Sequence, residues 1–308
     1  RAAFINPSFV YVFFSEKLSA QELVVKGIIM IKATIIGASG YTGGELLRLL
    51  IAHPEAEVVQ ATSRQKLGEY LYQTHPNLRK QTSLKFTDPA DLQPTDVLFL
   101  ALPHGQAQHN IENYAAVAEH IIDLSADFRL RGPDFYKQWY GEPHAAPNWM
   151  DKFVYGLPEL YREELKSAKY VSGVGCNATA TNLGLLPLVK AGLLETDLPI
   201  IAELKVGSSE GGAAVNPGSH HPERSHTVRT YAPYGHRHTA EVIQESGLAD
   251  VSLTMTSVGL VRGALATVHG KVKDGVALKD LWKAYRSVAS ENPFLRIVKE
   301  RRGIYRVP

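Results

Sequence analysis

The chain of 308 residues contains a single cysteine, and that scarcity excludes two things. No internal disulfide can form, and no thiolate-rich metal site can be built. The chain also lacks any run of about 20 apolar residues of the kind a membrane-spanning helix needs. Its charge is nearly balanced, with 33 basic and 31 acidic residues and a formal net charge of +2, so no general electrostatic pull toward nucleic acid exists. Internal repeats and low-complexity linkers are missing as well. Hydrophobic residues at 44% and charged residues at 21% make an ordinary globular composition, and the length suits about two domains with real cores. A lone cysteine fits a reducing cytoplasm, which is the expected compartment.

Arg1 to Ile29 carries no motif. Phe9 to Phe14 is apolar, but Glu16 and Lys17 cut it short and no small-residue cleavage site follows, so it makes a poor signal peptide. Met30 directly precedes a strand pattern, so the protein proper is expected to start there, with 1–29 an upstream extension. Gly303 to Pro308 ends in a strand-like run, and a further C-terminal piece is expected beyond it.

What is present begins with Ile31 to Gly37, an apolar strand running into Gly37-Ala38-Ser39-Gly40-Tyr41-Thr42-Gly43-Gly44. A helical stretch from Glu45 to Leu50 follows, and Glu57 to Ala61 reads as a second strand. A strand, a G-x-x-G-x-x-G loop, a helix and a strand in that order define a dinucleotide site. The glycines permit a tight turn and close backbone approach, and the helix N-terminus receives the pyrophosphate. Gly37, Ser39, Gly40, Tyr41, Thr42 and Gly43 are the candidate contacts. The second strand ends without the acidic residue that an NAD-specific site uses for the ribose hydroxyl. Ser63, Arg64 and Gln65 stand there instead, suited to a 2′-phosphate through hydrogen bonding and guanidinium pairing, so the expected cofactor is NADP(H). Further strands are expected at Asp96 to Ala101 and His120 to Asp123. The first runs into Leu102-Pro103-His104-Gly105, which places Pro103 and His104 at the carboxyl edge where open α/β sheets bind ligands.

Asp127 opens a loop-rich region that extends nearly to the cysteine. Cys176 follows Gly173-Val174-Gly175 and precedes an apolar helix expected from Asn177 to about Leu194. That places the thiol at a helix N-terminus, where unpaired N–H groups favour negative charge and a nucleophilic thiolate. Strands are expected at Ile200 to Val206, Ser252 to Val258 and Ala266 to Val272, and an amphipathic helix at Leu278 to Ser290. Between them lie a donor-rich loop, Gly207-Ser208-Ser209-Glu210-Gly211-Gly212, and two histidine-rich segments, His220-His221-Pro222-Glu223-Arg224 and Gly235-His236-Arg237-His238-Thr239. A metal site is not expected from these histidines, because adjacent ones rarely converge on one ion and Arg224 and Arg237 repel a cation. A substrate-anion site with an acid/base histidine fits better. Ser209, Arg224, Arg237 and His238 are the candidate substrate contacts.

The Gly37 to Gly43 loop, Leu102-Pro103-His104-Gly105, the Gly-Cys nucleophile and Gly235-His236-Arg237-His238-Thr239 occur in one order that resembles the N-acetyl-γ-glutamyl-phosphate reductases, from about Met30 to the end. The usual Pro-Gly-Cys-Tyr-Pro-Thr of that family is Val174-Gly175-Cys176-Asn177-Ala178-Thr179 here. With Gly207 to Gly212 and His220 to Arg224, this variant resembles the branch acting on substrates tethered to an amino-group carrier protein. The resemblance implies an α/β fold: a Rossmann-type NADP-binding domain (30–175), an α+β catalytic and oligomerisation domain (176–300), and a segment from 301 returning to the first. It implies NADPH-dependent reduction of an acyl phosphate to a semialdehyde through a Cys176 thioester, with His236 as acid/base and His238 in reserve. The substrate is expected to be carrier-linked L-2-aminoadipyl 6-phosphate, with the glutamyl equivalent or the free N-acetyl-glutamyl phosphate as alternatives. A small acidic carrier and a second copy of the chain are the expected partners. A non-catalytic NADP-binding regulator is the rival from another class; it needs the glycine loop but not Cys176 together with His236.

Overall fold

The structure is a computed structural model that describes residues 30–216 and 218–298; the expectations for 1–29 and 303–308 lie outside the described residues. The chain divides into two compact units. The first runs through Arg129 and takes in His144–Gly156 and Glu163–Gly173, and the second comprises Leu130–Pro143, Leu157–Arg162 and the chain from Val174 onward.

The first unit is a parallel sheet of six strands, β1 (Ile31–Ile36), β2 (Ala56–Thr62), β3 (Thr95–Leu100), β4 (Ala118–Asp123), β5 (Phe153–Tyr155) and β6 (Tyr170–Ser172), in the order β2-β1-β3-β4-β6-β5. Chain order runs outward on either side of β1 and β3, so their carboxyl ends form the switch point at which such sheets bind ligands. Ala33, Ile35, Val58 and Ala61 on the central strands, with Leu47 and Leu50 of helix α1 (Tyr41–Ile51), close one core. Ile36, Leu98, Leu100, Ile121 and Trp149 close another. Strands buried this thoroughly read as short apolar runs, which is why β1, β2 and β3 are visible in the sequence. The two three-residue strands are too short to show a period, and the loop-rich region expected after Asp127 contains both, along with α3 (Pro133–Tyr140) and α4 (Pro158–Ser167) beyond α2 (Ile111–Val117).

The second unit carries a four-stranded mixed sheet, β7 (Ile200–Val206), β8 (Arg229–Ala232), β9 (Val251–Ser257) and β10 (Ala264–His269), in the order β10-β7-β9-β8, with only β7 and β9 parallel. Alternation on β7 buries Ile200, Ala202, Leu204 and Val206. These pack with Ala178 and Leu185 of helix α5 (Cys176–Lys190) and Val242 of α6 (His238–Ser246). Helix α7 (Leu278–Glu291) is tied to α5 by the Tyr285 hydroxyl, which donates to Gly184 O at 2.6 Å.

Among the boundaries that differ from expectation, two have a plain local cause. Helix α5 stops at Lys190 because the chain turns at Gly192, with φ at +65°, and its N–H closes on Val189 O. Strand β10 lies two residues earlier than its pattern suggests, since Gly270 packs on Ile200 and Val272 makes only an isolated bridge to Leu194. Leu130–Pro143 and Leu157–Arg162, placed in the first domain by the sequence reading, group with the second unit for a local reason. The Arg131 N–H donates to Gln244 Oε1 at 2.7 Å, and the Glu245 carboxylate, fully buried, receives the Arg131 guanidinium at 3.2 Å and the Tyr161 hydroxyl at 2.5 Å.

That carboxylate gathers three segments, so Glu245→Ala is expected to destabilise the protein by about 2 kcal/mol, Arg131 being partly solvated. A lowered denaturant midpoint with an unchanged slope in equilibrium unfolding checks this.

Candidate active site

In the first unit the glycine loop is built by steric exclusion. Gly37 has φ at +78°, and a Cβ there would run into the carbonyl oxygen of Ala101 at the end of β3. A Cβ on Gly43 would sit 2.5 Å from Ala38 Cα, whereas one on Gly40 meets nothing closer than Gly37 O at 3.7 Å. The first two glycines let backbone lie on backbone, and Gly40 leaves open space at the N-terminus of α1, the cradle a pyrophosphate requires. Tyr41 and Thr42 are exposed at that terminus. Ser39 and Ser63 hydroxyls share a hydrogen bond of 2.9 Å across the loop, and Arg64 and Gln65 are exposed beside them. No carboxylate stands at this end of β2, and the residues present fit a 2′-phosphorylated dinucleotide.

Three residues of this unit escaped the sequence reading. The His75 ring fills the space over Gly44, and its Nε2 lies 2.8 Å from Ala38 O, bracing the glycine loop. Asp127, fully buried, accepts the Gly105 N–H at 2.6 Å and the Gln108 N–H at 3.0 Å and lies 2.9 Å from His104 Nδ1. Burial pushes its carboxyl up, but the donors from His104, Gln108 and Gly105 outweigh burial and hold it below the usual range. His104, following exposed Pro103, is thereby fixed beyond β3. Asp123, at the end of β4, is pushed up to about 7 by burial despite hydrogen bonds from Ser125. Nothing in the spacing around Asp127 or His75 announces these roles, because each acts on a segment distant in sequence.

In the second unit Cys176 is exposed at the first position of the fifteen-residue α5. Gly175, in extended conformation, is the N-cap; its carbonyl accepts the Thr179 N–H at 2.8 Å and the Thr179 hydroxyl at 2.9 Å. Tyr231 lies close enough for the cysteine's charge to raise its hydroxyl, and that hydroxyl donates to Glu210 Oε2 at 3.0 Å. Burial and the Glu210 charge, with the cysteine adding to them, hold the phenol far above its ordinary range.

The two histidines of Gly235 to Thr239 lie in different surroundings. Their rings meet edge to face at 4.6 Å, and Tyr231 approaches His236 edge-on at 6.5 Å. His236 Nδ1 accepts the His238 N–H at 3.1 Å, so the ring takes up a backbone donor at the start of α6. An acceptor Nδ1 places the ring proton of the neutral form on Nε2. Burial, with the nearby Arg237 charge, lowers this histidine to about 4. His238 is buried, with Nε2 at 4.0 Å from the buried carboxylate of Glu241.

Among the remaining candidates, Ser209 sits in a single 3₁₀ turn with its N–H on Val261 O, and Arg237 is exposed. Arg224 is mostly buried and turns its guanidinium to the carbonyls of Val206, Val258 and Gly218 at 3.2–3.3 Å, tying the ends of β7 and β9. Among the described residues no three histidine, cysteine or acidic side chains converge as metal ligands do, and no helix is long and apolar enough to cross a membrane.

These units define a semialdehyde dehydrogenase architecture: residues 32–168 match the family model described as semialdehyde dehydrogenase, NAD binding domain, and 176–306 the one described as semialdehyde dehydrogenase, dimerisation domain. A solved aspartate semialdehyde dehydrogenase II from Vibrio cholerae shares the fold with a TM-score of 0.60 at 12% identity, covering 83% of this chain and 78% of that one. The chain is 50% identical over 283 residues to a protein of Thermomicrobium roseum named "Putative [LysW]-L-2-aminoadipate 6-phosphate reductase", covering 91% of this chain and 80% of the relative. It is 48% identical over 275 residues to the "[LysW]-L-2-aminoadipate 6-phosphate reductase" of Deinococcus radiodurans, covering 89% and 79%. The chain belongs to the semialdehyde dehydrogenase family, in the branch of these aminoadipate phosphate reductases.

The depressed His236 makes a pH prediction. In the unfolded chain it binds a proton near its ordinary 6.5, while in the folded protein it stays neutral down to about 4. The unfolded state therefore binds more protons in that window, and stability falls as pH drops from 6.5 toward 4. His236→Gln is expected to flatten this part of the unfolding free energy against pH relative to the parent, measured by denaturant titration at each pH.

Proposed function

We propose that this chain is an NADPH-dependent reductase that converts protein-tethered L-2-aminoadipyl 6-phosphate to its semialdehyde through a thioester on Cys176. The observation that carries the reading is an exposed thiol at the first position of a long helix, in the unit that also holds the paired histidines. A helix N-terminus favours the thiolate. The thiolate attacks the acyl carbon, the bond from that carbon to the phosphate oxygen breaks, and inorganic phosphate leaves. When bound, the dinucleotide would supply the hydride for reduction of the resulting thioester. The tetrahedral oxyanion so formed accepts a hydrogen bond from His236 Nε2–H and collapses as the carbon–sulfur bond breaks, releasing the aldehyde and restoring the thiolate. Neutral His236 with its proton on Nε2 suits that task, since it can donate a hydrogen bond to the oxyanion without giving up the proton. Arg237, exposed beside it, is suited to the substrate carboxylate.

Gly37, Ser39, Gly40 and Gly43 would hold the dinucleotide phosphates, and Ser63 with Arg64 its 2′-phosphate, with Pro103 and His104 suited to the nicotinamide end. Exposed Arg229, Arg237 and Arg262 and His226 give the second unit a basic surface for an acidic carrier protein. The same unit serves homo-oligomerisation, and the cytoplasm is the compartment that keeps its thiol reduced. The reaction serves lysine biosynthesis, and with a glutamyl substrate arginine biosynthesis.

Three measurements test this. Cys176→Ser is expected to lower turnover by at least about 10³-fold while NADPH still binds. Retained turnover excludes the thioester route. Arg64→Ala is expected to weaken NADPH binding about tenfold or more and leave NADH binding nearly unchanged. With carrier-bound aminoadipyl phosphate and free N-acetyl-glutamyl phosphate offered side by side, only the first is expected to turn over, with a KM that rises with salt. Turnover of the free compound alone would move the enzyme to that substrate.

A further inference from the structure

The Gly175 peptide is held at both of its polar groups. Its carbonyl enters the first turn of α5 by accepting from Thr179. Its N–H points the other way and donates to Glu241 Oε2 at 2.8 Å. Glu241 is fully buried in the first turn of α6. A Cβ at position 175 would collide with Glu241 Oε1 and lie 2.7–2.8 Å from the His238 ring, so the carboxylate and the imidazole pack directly on the residue before the thiol.

We propose that Glu241 is the positioning residue of the nucleophile: its carboxylate fixes the turn that presents Cys176 at the start of α5. This rests on the reading of Cys176 as the nucleophile. Burying a carboxylate is costly unless its oxygens are paired, and here one oxygen is committed to a single backbone N–H next to the reactive residue. With both polar groups of the Gly175 peptide committed, the direction of the Cys176 side chain depends on that residue's own torsions alone. The anchor is itself rigid. At the start of helix α6 the His238 N–H donates to His236 Nδ1, at its end Gly247 closes it with φ at +70°, and it buries Ala240 and Val242 beside Glu241. The other oxygen faces His238 at 4.0 Å, so the turn and the histidine take their positions from the same side chain. Gly175 cannot also donate to a developing oxyanion, which leaves that task to N–H groups further into the helix start.

The test separates reach from charge. Glu241→Gln keeps the length and an accepting oxygen, Glu241→Asp keeps the charge but falls short by one methylene, and Glu241→Ala removes both. The rate of Cys176 alkylation by iodoacetamide at fixed pH is expected to stay within about threefold of the parent in the Gln variant and to fall about tenfold or more in the Asp and Ala variants. Turnover is expected to follow the same order, while the KM for NADPH does not move. If Asp keeps both rates and Gln loses them, or if all three variants stay within about threefold, the proposal is overturned. Should the Ala variant not fold, the Gln and Asp pair still decides. Alkylation needs no substrate, so the order is readable even if acyl-phosphate reduction fails, and activity persisting in Cys176→Ser would sink the nucleophile reading separately.

Discussion

Backbone lying against a neighbour with no room for a single methyl group is the constraint on which each unit's site depends. In the first unit Gly37 rests on the carbonyl of Ala101 and Gly43 on Ala38, which brings the loop after β1 onto the end of β3. In the second, Gly175 rests on Glu241 and His238. In the first unit the contacts are backbone on backbone, where no rotamer change can relieve an added Cβ. The strands and cores have a definite task in this arrangement. They hold β1 beside β3, and α5 beside α6, so that the close approaches are held in place.

Burial then sets the chemical state of the groups gathered there. His236 is driven toward the neutral form by burial and Arg237, and its Nδ1 is closed to protons by the His238 N–H. Tyr231 is driven toward the protonated form by burial and by Glu210 and Cys176. Asp127 goes the other way, because three donors reach it and overcome the desolvation that raises nearby Asp123. The same protein interior thus keeps a histidine uncharged, a phenol intact and one carboxylate ionised. The difference lies in which partners each group is given.

How much of this the sequence shows depends on whether the determining partner is near in the chain. The glycine loop, β1, β2 and the absence of an acid after β2 are local, and they are legible because backbone turns and buried parallel strands leave their own pattern. Cys176 before an apolar run is local too. Glu241 stands three residues after His238, inside a segment already marked by its histidines, yet its partner is the N–H of Gly175, sixty-six residues earlier. Asp127 reaches back to Gly105, and His75 to Ala38. Arg224 reads as a candidate substrate contact, yet its guanidinium donates to three backbone carbonyls. A charged side chain that serves a distant peptide group carries no periodic or spacing signal, so these residues emerge only once the fold brings the segments together.

The helix termini show how the sequence leaves room for a phosphate and for a thiolate. Among the described helices of seven or more residues, α2, α3, α4, α6 and α7 each place an acid in the first turn: Glu112, Asp134, Glu159, Glu241 and Asp280. An acid there offsets the positive end of the helix dipole. Helices α1 and α5 have no acid in the first turn, and neither Gly40 nor Gly175 supplies a capping side chain. These two begin at the glycine loop and at the thiol. A carboxylate in either first turn would compete with a phosphate or a thiolate for the same N–H groups and raise the cost of bringing that charge in. Both helices therefore forgo a stabilisation of roughly 0.3–1 kcal/mol that the other five take; the start of α1 is left to a dinucleotide, and at α5, where Glu241 takes only the Gly175 N–H, the N–H groups further in are left to the reactive sulfur.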